Sequence, residues 1–85
     1  MAELIHTHSA RIRGAGGAVW VARVMGERRS DGTWWGWLEF RSTGTDARAV
    51  KTGQETSQPD RRALEYWAGG LEPVYLEGAL RRALG

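Results

Sequence analysis

The chain has 85 residues, of which 41% are hydrophobic, and its formal net charge of +2 comes from 12 basic and 10 acidic side chains. This length allows one small domain over residues 1–85, and the absence of cysteine excludes a disulfide framework and a thiolate zinc site. No apolar run approaches the ~20 residues of a membrane span, and the N-terminus lacks the order of a signal peptide, so we expect a cytoplasmic protein without membrane association.

Basic residues are concentrated in the first part of the chain. Residues 1–51 carry eight basic and five acidic side chains, and 11 of the 12 basic residues of the whole chain are arginine. This bias allows contact with nucleic acid, but it is weaker than the clustered basic footprint that is typical of nucleic-acid-binding domains.

The first half of the chain alternates in the way that β-strands do. Strands are predicted over residues 3–13, 18–28 and 33–42, and a short fourth strand over 47–52. The glycine-rich run 14–17 predicts a turn, and residues 42–46 are also turn-like. Asp31-Gly32 is typical of a β-hairpin, so the second and third strands should pair antiparallel.

The third strand has the most distinctive composition, because three of its residues are tryptophan. Alternation divides it into two faces: one carries Trp34, Gly36, Leu38 and Phe40, and the other carries Trp35, Trp37, Glu39 and Arg41. The first face lacks charge and is therefore the predicted core. The second combines two amphipathic rings with two charges and should be half exposed.

Two helices are predicted in the last third. The segment 57–60 offers Ser57 as a hydroxyl cap and Pro59 in the first turn, so a helix should run over 59–68 and end at a left-handed glycine cap in Gly69-Gly70. Pro73 opens a second helix over 73–84 with leucine and alanine at helical spacing. The sequence thus predicts an α+β fold: an antiparallel sheet of three to four strands followed by two C-terminal helices packed on one face.

Two stretches carry a resemblance to known sequences: GTWWGWLEF, and the segment 55–84, in which ETSQP is followed by LEYWAGGLEPVYLEGAL. Together they cover over half of the chain. In residue order they resemble a family of small uncharacterised bacterial proteins. That family has no assigned activity, so the resemblance implies a free-standing bacterial domain and transfers no functional residue.

Motifs for catalysis or metal binding are weak. His6 and His8, two residues apart on a strand, would point the same way, but two ligands do not make a metal site, and an exposed strand near a terminus explains them without metal. Glu55, Thr56 and Ser57 precede a predicted helix, where free backbone N–H groups could receive an anion, although helix capping accounts for them. We predict no metal, no cofactor and no enzymatic activity.

The remaining candidate surface is the half-exposed face of the third strand. Trp35 and Trp37 share this face with Arg41, and Arg11, Arg13 or Arg23 on neighbouring strands would add a cationic rim. Such a surface suits single-stranded nucleic acid through stacking and phosphate contact, yet a packed core cluster or an oligomer interface also uses tryptophan and arginine.

The leading hypothesis is a small interaction module that self-associates through the tryptophan-bearing sheet or the C-terminal helix. The alternative is single-stranded nucleic-acid binding.

Overall fold

The computed structural model, which describes residues 1–44 and 47–85, contains a five-stranded antiparallel sheet followed by two helices. The strands are β1 Glu3–Arg13, β2 Val19–Arg28, β3 Trp34–Ser42, β4 Ala49–Lys51 and β5 Thr56–Gln58, and the helices are α1 Arg61–Gly69 and α2 Pro73–Leu84. The predicted α+β fold, with the sheet first and the helices last, is confirmed.

The sheet is built around β3. β2 pairs with its whole length, and β1 pairs with the far side of β2. The other edge of β3 is shared: β4 pairs with its second half and β5 with its first half. β4 is shorter than the predicted strand over 47–52, and β5 was not predicted as a strand. Part of the predicted turn over 42–46 falls on residues 45–46, outside the described residues.

Glycine forms both connections between the long strands. A single 3-10 turn, Ala15–Gly17, joins β1 to β2, and Gly16 and Gly17 adopt φ angles of 75° and 79°, which only glycine adopts readily. The loop between β2 and β3 places Gly32 at φ 90°, and the Asp31 side chain accepts a 2.9 Å hydrogen bond from the backbone of Thr33. The predicted turn and the predicted antiparallel hairpin are both confirmed.

The core lies between one face of the sheet and the two helices. The predicted core face of β3 is confirmed, because Trp34, Gly36, Leu38 and Phe40 are all buried. Strands β1 and β2 and both helices complete the cluster with Ile12, Trp20, Ala22, Val24, Ala68, Leu76, Ala79 and Leu80. Burial of these apolar side chains is the main force that holds the helix layer on the sheet.

Two opposed glycines position α1 on the sheet. Gly26 of β2 and Gly36 of β3 are directly paired, and Leu64 of α1 lies over them with no exposed surface. A Cβ atom at Gly26 would lie 2.6 Å from Leu64, and one at Gly36 would lie 2.7 Å from it. A side chain at either position would clash with Leu64, so only glycine leaves space for it. We call this pair of glycines the glycine socket.

The start of α1 differs from the prediction. The helix begins at Arg61, and Asp60 caps it by accepting a 2.8 Å hydrogen bond from the backbone N–H of Ala63. Ser57, the predicted cap, lies in β5. The helix stops at Gly69 as expected, but the capping residue Gly70 has a φ of −91°, so the predicted left-handed cap is wrong. Pro73 opens α2 as predicted.

The alternation predicted for β1 is interrupted by two register shifts, between Leu4 and His6 and between Thr7 and Arg11. As a result Leu4 is 47% exposed, whereas the adjacent Ile5 packs against the core. A single extra residue at a bulge exchanges the two faces of a strand. Leu4 and Ile12, although an even number of positions apart, therefore lie on opposite faces of β1.

Candidate functional site

The helices leave the second face of the sheet uncovered. We call this surface the open face. It consists of the side chains that alternate with the buried ones, and its members are Leu4, Thr7, Arg11, Arg13, Val19, Val21, Arg23, Met25, Glu27, Trp35, Trp37, Glu39, Arg41, Ala49, Lys51 and Ser57. Direct strand pairing arranges these residues in rows across the sheet, and the rows differ in chemistry from one end of the face to the other.

One end of the open face is mainly apolar, and the carboxylate of Glu27, opposite Trp35, is paired there with Arg29. Leu4, Met25 and Trp37 form one row across β1, β2 and β3, and Trp35 lies two residues further along β3. Trp35 is 36% exposed, while Met25 and Trp37 are half-buried. The guanidinium of Arg29 lies 3.9 Å from the centre of the Trp35 ring, in a cation–π contact. We call Leu4, Met25, Trp35 and Trp37 the apolar half.

The other end of the open face is basic. It carries Arg11, Arg13, Arg23, Arg41 and Lys51, together with the single carboxylate of Glu39, and we call these six residues the basic half. Arg23 donates a 3.2 Å hydrogen bond to Glu39 in a partly exposed ion pair. The remaining four cations form no ion pair with any residue in the ranges 1–44 and 47–85.

Two shallow depressions lie in the basic half. The larger has a volume of about 320 Å³ and is lined by Arg23, Glu39, Phe40, Arg41, Ala49, Val50 and Lys51. The smaller, of about 170 Å³, is lined by Val21, Arg23, Arg41, Ser42 and Thr43. Arg23 and Arg41 belong to both, so the same two guanidinium groups border two adjacent spaces that a ligand could enter.

The four binding residues proposed from the sequence all lie on the open face, but not together. Trp35 and Trp37 belong to the apolar half, whereas Arg23 and Arg41 belong to the basic half. Trp35 and Arg41 are six positions apart in the sequence, which corresponds to about 20 Å along a strand. Lys51 was missed as a candidate, because the alternation of a three-residue strand does not reveal which of its faces is covered.

His6 and His8 lie together on β1, as their spacing predicts, with ring centroids 4.6 Å apart. His8 is buried and its Nε2 atom has no hydrogen-bond partner in the described part of the chain. Burial lowers the pKa of His8, and the neighbouring His6 lowers it further. Within residues 1–44 and 47–85, no group of three or more side chains is arranged to hold a metal ion.

Glu55 has a structural role that the sequence did not reveal. Its carboxylate accepts hydrogen bonds from the Tyr75 hydroxyl and, at 2.6 Å, from the Arg82 guanidinium, both on α2. Burial and the hydrogen bond to Glu55 both raise the pKa of Tyr75. Glu55 also donates its backbone N–H to the carbonyl of Gly36 at 2.8 Å. Glu55 therefore connects the segment before β5 by hydrogen bonds to both β3 and α2.

Comparisons with known proteins returned no matching family model, no matching curated protein and no matching solved structure. None of the helices in the described ranges has the length and apolar character needed to cross a bilayer.

Proposed function

We propose that the protein is a small non-enzymatic interaction module that self-associates through the apolar half of the open face. The observation that carries this proposal is the uncovered sheet surface, on which Leu4 and Trp35 are 47% and 36% exposed next to Met25 and Trp37. Contiguous exposed apolar residues on a small domain are typical of interaction sites, and tryptophan and methionine are enriched in them.

The C-terminal helix is a weaker candidate for the interface. Its predicted apolar stripe is used inside the protomer, because Leu76, Ala79 and Leu80 are buried against the sheet. Leu84 retains 38% exposure at the end of the helix, and Val74 retains 72% at its start. These two residues are ten positions apart, so they offer no continuous surface comparable to the apolar half.

The uneven charge of the open face favours a two-fold arrangement centred on the apolar half. An isologous dimer places the same patch of both copies in contact. Centring the axis on the apolar half buries Trp37 of each copy and keeps the two basic halves apart, whereas contact over the whole face would bring like charges together. A standard interface buries ~800 Å² per partner. The apolar half comprises four side chains, so we expect a dimer that dissociates at micromolar concentration.

Sedimentation equilibrium over a range of micromolar concentrations tests the proposal. The parent protein should show an apparent mass that rises from 9.4 kDa toward twice that value. Trp37→Ala should shift the equilibrium toward monomer, because it removes the half-buried indole ring of the apolar half. Tyr66→Ala is the matched control: it also truncates an aromatic residue, but Tyr66 is 88% exposed on α1, in the helix layer.

Loss of Trp37 could also disturb the sheet, so Leu4→Ser provides a second variant at a more exposed position. Circular dichroism should show that this variant keeps the parent fold. A parent protein that remains a 9.4 kDa monomer at every concentration would exclude self-association. Equal weakening by Tyr66→Ala and by both open-face variants would place the interface elsewhere.

A further inference from the structure

The basic half carries a second binding surface, which does not depend on self-association. Arg11 and Arg41 lie in one row across β1 and β3, and Lys51 lies in the next row on β4. Three strand spacings separate β1 from β4, about 14 Å in total. The cations are therefore spread over a distance that a single phosphate group cannot bridge, and they suit a ligand with several negative charges in line.

We propose that the basic half binds single-stranded nucleic acid through its phosphate backbone. Arginine supplies four of the five cations, and its planar guanidinium donates paired hydrogen bonds to phosphate oxygens. The two depressions beside Arg23 and Arg41 leave space for the ligand between these donors. A sheet surface accepts extended single strands, whereas a duplex is read mainly by a helix or ribbon inserted into its groove.

This mode of binding differs from a tryptophan stacking platform. Trp35 lies about 20 Å along β3 from Arg41, and Trp37 lies two residues from Glu39 on the same strand, so a ligand can contact the arginines without stacking on Trp35. Binding should therefore depend on phosphate charge and show little preference for base sequence. Glu39 lies among the cations and forms an ion pair with Arg23, so it should weaken binding by repelling phosphate.

Fluorescence anisotropy with labelled oligothymidylate of about 12 nucleotides, within the range that small single-strand-binding sites cover, provides the test. Each phosphate contact to a single strand contributes a slope of about −0.7 in log affinity against log salt, so four contacts predict about a 50-fold loss between about 50 and 200 mM salt. Arg41→Ala removes one contact, and the same increase in salt should then weaken binding only about 18-fold.

Two further variants, Glu39→Gln and Arg62→Ala, distinguish contact with the basic half from a general effect of net charge. Glu39→Gln should increase affinity, because it removes the carboxylate from the basic half while keeping the shape of the side chain. Arg62→Ala removes one positive charge from the exposed surface of α1 and should leave both the affinity and the salt slope unchanged.

Three results would overturn the proposal. The first is no change in anisotropy at about 50 mM salt, where phosphate contacts are strongest. The second is an equal effect of Arg41→Ala and Arg62→Ala, which would indicate a general response to net charge. The third is displacement of the oligonucleotide by poly-glutamate at equal charge concentration, which would identify an acidic protein segment as the preferred ligand.

Discussion

The glycine socket beneath α1 predicts that adding one methyl group to the sheet will destabilise the fold. In Gly36→Ala, the new Cβ would lie 2.7 Å from Cδ1 of Leu64 and 3.0 Å from Cγ2 of Thr56. Leu64 cannot move aside easily, because it has no exposed surface and its other methyl group already occupies the space over Gly26. Overpacking of this kind costs about 1–3 kcal/mol, and a loss of 2 kcal/mol lowers Tm by about 8–16 °C in a domain of this size.

The same substitution should cost less stability when Leu64 is removed, because the closest contact of the new Cβ is then absent. Leu64→Ala alone should cost about 2–5 kcal/mol, because it leaves a cavity over the socket. In that background only the 3.0 Å approach to Cγ2 of Thr56 remains, so Gly36→Ala should lower the free energy of unfolding by less than it does in the parent. Urea unfolding of the parent, both single variants and the double variant measures this coupling.

Gly53→Ala is the control, because a Cβ there meets no atom within 4 Å. Its free energy of unfolding should not fall, and the reduced entropy of the unfolded chain should raise it by about 0.4–1 kcal/mol. If Gly36→Ala lowered the free energy of unfolding equally in the parent and in the Leu64→Ala background, the contact between Leu64 and the glycine socket would not be the cause.

Three further predictions concern single buried or capping groups. Burial lowers the pKa of His8 in the folded state below its ordinary value of 6.5. The contribution of His8 to stability is therefore present above pH 6.5 and is lost as the pH falls below that value, by at most about 1.4 kcal/mol per pH unit. His8→Gln should flatten this pH dependence, as measured by urea titrations. Asp60→Ala should cost about 0.5–2 kcal/mol in thermal unfolding, whereas Ser57→Ala should stay within about 0.5 kcal/mol. Thr52→Val should cost about 1–3 kcal/mol in the same assay, because it removes the buried hydroxyl that accepts a 3.0 Å hydrogen bond from the backbone of Leu38.

The long elements of the fold could be predicted because their signals are local. Strand β3 alternates without interruption, so its buried face follows from the sequence, and the positive φ of Gly16, Gly17 and Gly32 follows from the turn chemistry of glycine. The apolar spacing of α2 likewise identifies the face that packs on the sheet. In each case the residues that determine the structure are neighbours in the chain.

The missed features depend on contacts between distant residues. Strand β5 has three residues and exists because β3 offers an unpaired edge beside β4, which the segment 56–58 alone cannot reveal. The bulges in β1 exchange Leu4 and Ile5 between faces through pairing with β2. The partners of Glu55 on α2 are 20 and 27 residues away in the sequence.

The candidate site was predictable in composition but not in layout. Alternation places Trp35, Trp37 and Arg41 on one face, and this arrangement is confirmed. Alternation within one strand says nothing about which residues of neighbouring strands lie beside them. The separation into an apolar half and a basic half follows from strand register, and β4 contributes Lys51 only because it pairs with Glu39.

We propose that the protein binds its own copy through the apolar half of the open face. A dilution series of two-dimensional ¹H–¹⁵N NMR spectra tests it most directly, because each backbone amide and each of the five tryptophan indole N–H groups gives a separate signal. Self-association through the apolar half should shift the signals of the Trp35 and Trp37 indoles and of the Leu4 and Met25 amides with concentration, and should leave those of Tyr66 constant. Shifts confined to α1 and α2, or spectra that do not change with concentration, would contradict it.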